Sequence, residues 1–248
     1  MARADVFLVD AGLASSRTHA QQLIAAGRVS VEGKTVSKAS AKLDAGMQIA
    51  IAADEEADRF VSRGGLKLAG ALAHTGLDVA GMLVLDVGQS TGGFTDCLLQ
   101  AGARRVIGLE VGHDQLHRSL IDDARIVTLE GLNARHLAAG DLDEHLDAPV
   151  GAIVGDVSFI SLTLILPALA AQLPAGGSLL FLVKPQFEVG LAGLGKGGIV
   201  RDASSYPGVE TKIRAAALDA GFDVLDYFDS PILGGDGNHE FFVYAQRR

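Results

Sequence analysis

A chain of 248 residues, 48% apolar and 21% charged with 6 Pro and a mean hydropathy of +0.29, has room for a large domain plus a small one and is too apolar for a disordered or collagen-like protein. One cysteine, Cys97, permits no internal disulfide, and Asp5 and Asp10 stand where a secretory signal would carry its apolar stretch, so a cytoplasmic protein is expected. The longest nearly apolar run, 159–171, is broken by Pro167 and falls short of the roughly 20 residues of a membrane span, so no membrane partner is expected.

Residues 1–50 hold six basic and four acidic side chains, a net of +2 in a chain whose total is −9, so the remainder carries −11. An acidic body repels polyanions, which puts any nucleic-acid contact on the front segment. That segment opens with helical spacing at 6–13 and 17–26, the second run capped by Ser15 or Ser16 and closed by Gly27. An alternating strand at 29–36, bent at Glu32-Gly33, and a short strand at 47–51 complete a small α+β domain over residues 1–53. The charge run 54–59 lies in a linker, 54–61, and a helix at 62–75 leads into a second domain, 62–248.

From residue 82 the pattern becomes apolar strands alternating with helices. Strands are predicted at 82–88, 105–110, 125–130, 151–157, 178–184, 223–229 and 240–246, and helices at 93–101, 114–121, 161–173 and 204–220. Continuous apolar strands separated by helices indicate an α/β domain with a parallel sheet covered on both faces, the last two strands adding an antiparallel edge.

The turn after the first of these strands reads Asp86-Val87-Gly88-Gln89-Ser90-Thr91-Gly92-Gly93-Phe94. Glycines there let a ligand approach the backbone at the strand tips, and Glu110, ending the next strand, is placed to accept hydrogen bonds from ribose hydroxyls. Together they make a nucleoside site; Gln89 and Ser90 break the G-x-G-x-x-G of dinucleotide enzymes. Two other motifs compete. Gly88-x-Ser90-x-Gly92 fits a nucleophile elbow but follows the first strand of its domain, with no oxyanion segment upstream. Gly190 to Lys196 fits a phosphate loop, yet Gly197 replaces the hydroxyl residue that would hold magnesium, so a substrate-side loop is the better reading. Asp156 and Lys184 end the fourth and fifth strands, Glu240 begins the last, and Lys67 lies on the leading helix. Each alone reads as a surface salt bridge; if the last strand is antiparallel, all four converge at one sheet edge. The scattered histidines show no metal-ligand spacing, so no metal is expected.

The tracts SRGGLKL, LDVGQSTGGFTDCLLQAGA, DVSFISL, LVKPQFE, KGGIVRD and GNHEFF resemble the TlyA family of ribosomal RNA methyltransferases, historically labelled hemolysins. The front segment resembles the S4-type RNA-binding module, and the likeness covers nearly the whole chain. It implies a Rossmann-like class I methyltransferase sheet similar to FtsJ-like 2′-O-methyltransferases, S-adenosylmethionine as donor, and a cytidine ribose 2′-hydroxyl of ribosomal RNA, free or in ribosomal subunits, as acceptor. Lys67, Asp156, Lys184 and Glu240 match the family's K-D-K-E tetrad. The motif's usual alanine is Gln89 here, the acid after the second strand is Glu110 where aspartate is common, and His113 stands near a frequent aromatic.

A ribose hydroxyl must be positioned and deprotonated to displace a methyl group in line. The resemblance therefore implies Lys184 on the 2′-oxygen, Asp156 and Glu240 holding Lys184, and Lys67 steadying the hydroxyl or a phosphate. For the cofactor, Asp86, Gly88, Ser90, Thr91, Gly92, Gly93 and Phe94 are expected, with Gly88, Gly92 and Gly93 admitting the methionine part, Ser90 and Thr91 offering hydroxyls and Phe94 packing nearby. Glu110 is expected on the ribose, and Glu130 and Asn133 near the adenine. In the front module Arg3, Arg17, His19, Gln22, Arg28 and Lys34 are expected to line one RNA-binding surface. The other function classes are membrane lysis, which the old family label suggests and no span supports, and an RNA-binding protein with a vestigial methyltransferase fold.

Overall fold

The computed structural model describes residues 1–14, 16–55, 58–235 and 237–248 and separates them into two units, 1–58 and 59–248. In the first, β1 (Ala2–Arg3) leads into α1 (Ala4–Asp10), followed by α2 (Arg17–Ala25). The Ser16 hydroxyl accepts the His19 N–H at 3.1 Å and caps α2; Ser15, the other cap candidate, lies outside the described residues. The two helices bury Leu8, Leu23 and Ile24 against Val29 of β2 (Val29–Val31). Glu32 and Gly33, with φ of 50° and 74°, turn the chain into β3 (Lys34–Thr35), as a two-residue hairpin requires. β4 (Lys42–Leu43) pairs with β1, and β5 (Ile49–Ile51) with the other edge of β2. The expected linker includes Glu56 and Ala57, outside the described residues. Just after them Asp58 is ion-paired with Arg28 in the first unit, while Phe60 is buried in the second.

The second unit opens with α3 (Gly64–Thr75) and builds one sheet from β6 (Leu83–Val87), β7 (Arg105–Leu109), β8 (Ile126–Leu129), β9 (Val150–Gly155), β10 (Ser178–Val183), β11 (Phe222–Asp229) and β12 (Phe241–Arg247). The spatial order is β11-β12-β10-β9-β6-β7-β8, and only β12 runs against the rest. Alternate residues serve opposite faces. Leu83, Leu85, Ile107, Ile153 and Phe181 pack beneath α5 (Leu166–Ala170) and α6 (Tyr206–Asp219). Val84, Val106, Val154, Leu180 and Phe242 pack beneath α3 and α4 (Gly93–Gln100). Both faces are covered, which is why the central strands read as unbroken apolar runs.

Two expected helices are corrected. Residues 114–121 form turns: Asp114 sits at φ 55°, which no helix can continue through, and Leu116 and Leu120 fold in against Gly92. Residues 161–173 split into a 3₁₀ turn, Leu162–Leu164, and the short α5, because Pro167 has no N–H to give and the Ser161 hydroxyl takes up the Thr163 N–H. Among the described residues, no helix is long and apolar enough to cross a membrane.

Candidate active site

The chain reverses its direction of travel across the sheet between β6 and β9, so the strand tips there form the crevice in which doubly wound folds bind ligands. β12 is antiparallel and Val183 pairs with Phe241, so Glu240 arrives at the same edge, opposite Lys184. Lys67 reaches that edge from α3. Its Nζ donates to Glu240 Oε2 at 2.6 Å and lies 3.7 Å from Asp156 Oδ2, while Asp156 Oδ1 is ion-paired with Lys184. The Lys184 ammonium also donates to the Ser158 hydroxyl at 2.9 Å. The four residues thus form a line of alternating charge, Glu240, Lys67, Asp156, Lys184. Its Glu240 end is buried, with a side chain 3% exposed; the Asp156 side chain, at 22%, is the most accessible of the four. One expected contact is corrected. Glu240 holds Lys67 and not Lys184, because its carboxylate turns inward to the helix covering that face of the sheet.

Gly88 connects this line to the glycine-rich turn. It has φ 82°, and a Cβ there would lie 2.5 Å from the Asp156 carbonyl oxygen, so only glycine brings the turn this close to β9. Ser90, at φ 48°, follows, and its N–H is accepted by Glu110 Oε2 at 2.8 Å. Glu110 Oε1 accepts the Gly112 N–H at 2.8 Å and the Gln115 side-chain amide at 3.4 Å, while Oε2, with the Ser90 N–H alone, keeps a second lone pair. Glu130 lies beside Glu110 by strand register, accepts the Asp114 N–H at 2.8 Å, and has His113 Nδ1 at 3.4 Å. Asn133 caps a 3₁₀ turn through Oδ1, and the Thr91 carbonyl accepts the His117 N–H.

Asp86 is fully buried at the tip of β6. Its Oδ2 accepts the Thr95 hydroxyl at 2.7 Å, and Oδ1 has no hydrogen-bond partner among the described residues. Burial pushes its carboxyl up to about 7, with the Asp156 and Glu110 charges adding to the effect. Three acids at adjacent strand tips beside a bare turn fit a ligand that carries a cation and ribose hydroxyls, as S-adenosylmethionine does. The turn's other residues pack inward. Gly92 faces Leu116 and Leu120, Gly93 faces Ser62, and Phe94 lies in the core between α3 and α4.

Several participants escaped the sequence reading. Gln89 is buried, donates to Thr95, and fits because Gly108 leaves its amide room, so the larger residue is housed beneath the turn. Gln115 accepts the Ser90 hydroxyl at 3.3 Å. Phe159 is 92% exposed at φ 64°, with its ring 5.3 Å from that of Phe187, next to the Ser158 that holds Lys184. Beyond that one ring contact, an aromatic this exposed in a strained conformation buries almost nothing.

In the first unit, Arg3 and Arg17 each donate to the fully buried Asp5 at 2.9 Å, and Gln21 does so at 2.8 Å. Those donors, Arg3 foremost, hold the Asp5 carboxyl far below the usual range, and both guanidinium groups are fixed with outer faces accessible. Arg28 is tied elsewhere, to the Ala52 carbonyl and Asp58. Lys34 lines a cleft of about 420 Å³ with Lys38 and Lys42. His19 lies in the first turn of α2 and Gln22 further along it, half-buried. Arg3 and Arg17 share Asp5, Arg28 is paired with Asp58, and Lys34 lines the cleft.

Residues 60–247 match the family profile of FtsJ-like methyltransferases and residues 2–49 that of the S4 domain. The chain is 40% identical over 245 residues to the 16S/23S rRNA (cytidine-2′-O)-methyltransferase TlyA of Mycobacterium tuberculosis, covering 99% of this chain and 90% of that one. It is 40% identical to the putative rRNA methyltransferase YqxC of Bacillus subtilis over 98% of this chain and 84% of the relative. A solved structure of a putative hemolysin from Streptococcus thermophilus superposes with a TM-score of 0.79 at 41% identity, over 99% of this chain and 88% of that one. With both profiles matched and relatives this similar from end to end, the chain belongs to the TlyA family, FtsJ-like methyltransferases preceded by an S4 domain.

Proposed function

We propose that the chain transfers a methyl group from S-adenosylmethionine to the 2′-hydroxyl of a cytidine ribose in ribosomal RNA, acting in the cytoplasm. One observation carries the reading: the unbroken line of Glu240, Lys67, Asp156 and Lys184 at the strand tips, touching the bare turn at Gly88. The cofactor, when bound, supplies a methyl group on a sulfonium. Gly88 and Ser90 would lie along its methionine part, Asp86 would face its positive charge, Glu110 the ribose hydroxyls, and Glu130 and Asn133 the adenine.

Lys184 forms the end of the tetrad opposite the buried Glu240. Held between Asp156 and Ser158, Lys184 keeps the 2′-oxygen in line for attack, passes one ammonium proton to Asp156 and takes the hydroxyl proton in its place. The proton thus ends on the Asp156 carboxylate as the oxygen–methyl bond forms and the methyl–sulfur bond breaks. Lys67 and Glu240 fix Asp156 from behind. The Phe159 ring offers the target base a flat surface, and stacking of a base on an aromatic ring is worth about 1–3 kcal/mol. Arg3 and Arg17, set by Asp5, meet RNA phosphates on the S4 side.

The test is transfer of labelled methyl from S-adenosylmethionine to purified 16S and 23S ribosomal RNA and to ribosomal subunits. The intact chain labels RNA; Lys184→Ala does not, while still binding the cofactor in a calorimeter. Undiminished transfer by Lys184→Ala overturns the mechanism, and RNA binding with neither cofactor binding nor transfer overturns the enzyme in favour of an RNA-binding protein.

A further inference from the structure

The run from Gly190 to Lys196 that mimics a phosphate loop has no helix after it. Leu194 and Val200 form an isolated antiparallel bridge, Gly195 N–H donates to the Ile199 carbonyl at 2.7 Å, and Arg201 N–H to the Gly193 carbonyl at 3.0 Å. The result is a narrow arm whose tip is the 3₁₀ turn Lys196–Gly198. Both ends of the arm lie close along the chain to tetrad residues or to their neighbours. It starts shortly after Lys184, past the 3₁₀ turn Pro185–Phe187. On its far side Asn238, 3% exposed and two positions before Glu240, accepts the Val200 N–H at 3.0 Å and donates to the Gly198 carbonyl at 3.2 Å. The segment carrying Asn238 is itself tight against the site: Gly234 N–H donates to the Asn238 carbonyl at 2.9 Å, and a Cβ on Gly234 would lie 2.5 Å from the Glu240 carboxylate.

The arm's charge is one-sided in a domain that is otherwise acidic. From Val189 to Arg201 there is no acidic side chain, and the two charged ones, Lys196 and Arg201, are exposed. Among the described residues neither makes an ion pair, whereas Asp202 is turned back onto the Ser204 N–H and hydroxyl. Cations held out on a pinned arm, with no ion-pair partner among the described residues, match the chemistry of a polyanion. The polyanion that must pass this edge to bring a ribose to Lys184 is the RNA backbone.

We propose that the arm Gly190–Arg201 grips the RNA backbone beside the target nucleotide, Lys196 and Arg201 contacting phosphates and Asn238 keeping the arm in register with Glu240. The proposal rests on the RNA methyltransferase reading above and adds to it a second phosphate-contacting surface, on the catalytic unit itself.

The test measures binding of deproteinised 16S and 23S ribosomal RNA against KCl concentration for the intact chain, Lys196→Ala, Arg201→Ala, the double variant and Lys196→Arg. Each alanine variant should bind more weakly at fixed salt and lower the slope of log affinity against log salt by about 0.7–0.9 for each phosphate it no longer neutralises. Lys196→Arg should restore the intact slope. Cofactor affinity and urea midpoint should stay unchanged, which separates weaker phosphate binding from a damaged fold. Salt slopes equal to that of the intact chain in all variants overturn the proposal. An intact chain that binds RNA but transfers no methyl overturns the function and leaves the arm to be judged by its slopes; an intact chain that binds no RNA overturns both.

Discussion

The Lys67 and Glu240 pair allows stability and catalysis to be taken apart. The two side chains are 9% and 3% exposed and meet at 2.6 Å. Removing one partner of a buried pair costs roughly 3–5 kcal/mol, because the other charge is left without compensation, whereas replacing both with uncharged side chains of similar volume is often neutral. Glu240→Gln should fall at the lower end, about 3 kcal/mol, since Asp156 remains 3.7 Å from the Lys67 ammonium. For a unit of this size that is roughly a 6–12 °C drop in Tm. Lys67→Met should cost a similar amount, and Lys67→Met with Glu240→Gln should recover most of it. The assay is urea denaturation followed by tyrosine fluorescence. The chain has no Trp, and its 3 Tyr, at 206, 227 and 244, all lie in the catalytic unit, so the first unit adds no signal. Methyl transfer should be lost in all three variants, the stable double variant included. Single losses that simply add in the double variant would refute the reasoning.

Other outcomes follow from the same geometry. Asp86 is held at about 7 in the folded state against 3.8 as its ordinary value. Between those values the unfolded chain gives up its proton first, so folding weakens as pH rises and levels off above about 7. Asp86→Asn removes that slope, and its midpoint should gain on the intact chain from pH 4 to 7, by up to roughly 4 kcal/mol; a gap independent of pH contradicts this. Gly88→Ala must carry a left-handed backbone, at about 1–2 kcal/mol, and push the Asp156 carbonyl away. Turnover should fall about 100-fold, with RNA affinity kept, if a displacement near 1 Å follows; unchanged turnover in a single-turnover assay counts against the close approach. Arg17→Ala should reduce RNA affinity and lower the salt slope by about 0.9, with calorimetric cofactor binding unaltered; an unaltered slope would remove Arg17 from the RNA surface.

What could be read from the sequence was what repeats or what is long. The central strands of the catalytic unit announce themselves because both faces are buried, and three of the tetrad positions follow from strands ending at Gly155 and Val183 with β12 reversed. Residues 114–121 have the apolar spacing of a helix, yet Leu116 and Leu120 serve Gly92 as loop residues, a tertiary demand that no local pattern records. β1 and β4, two residues each, are too short to show a period. The pairing inside the tetrad was hidden as well. Lys67 and Glu240 are 173 positions apart, and only the placement of α3 over the sheet decides that they meet. The ion pairs of the first unit were hidden too, since Asp5 gathers Arg3 and Arg17 while Asp58 takes Arg28.

On the proposed function the methyl group goes to a ribose oxygen and not to a base. Methylation of the 2′-oxygen removes the nucleophile that alkali uses to cut the next phosphodiester bond. Ribosomal RNA labelled by the intact chain, hydrolysed in alkali and resolved by mass spectrometry, should therefore yield its label in alkali-resistant dinucleotides beginning with a cytidine. Label recovered only in mononucleotides, as base methylation gives, would contradict it.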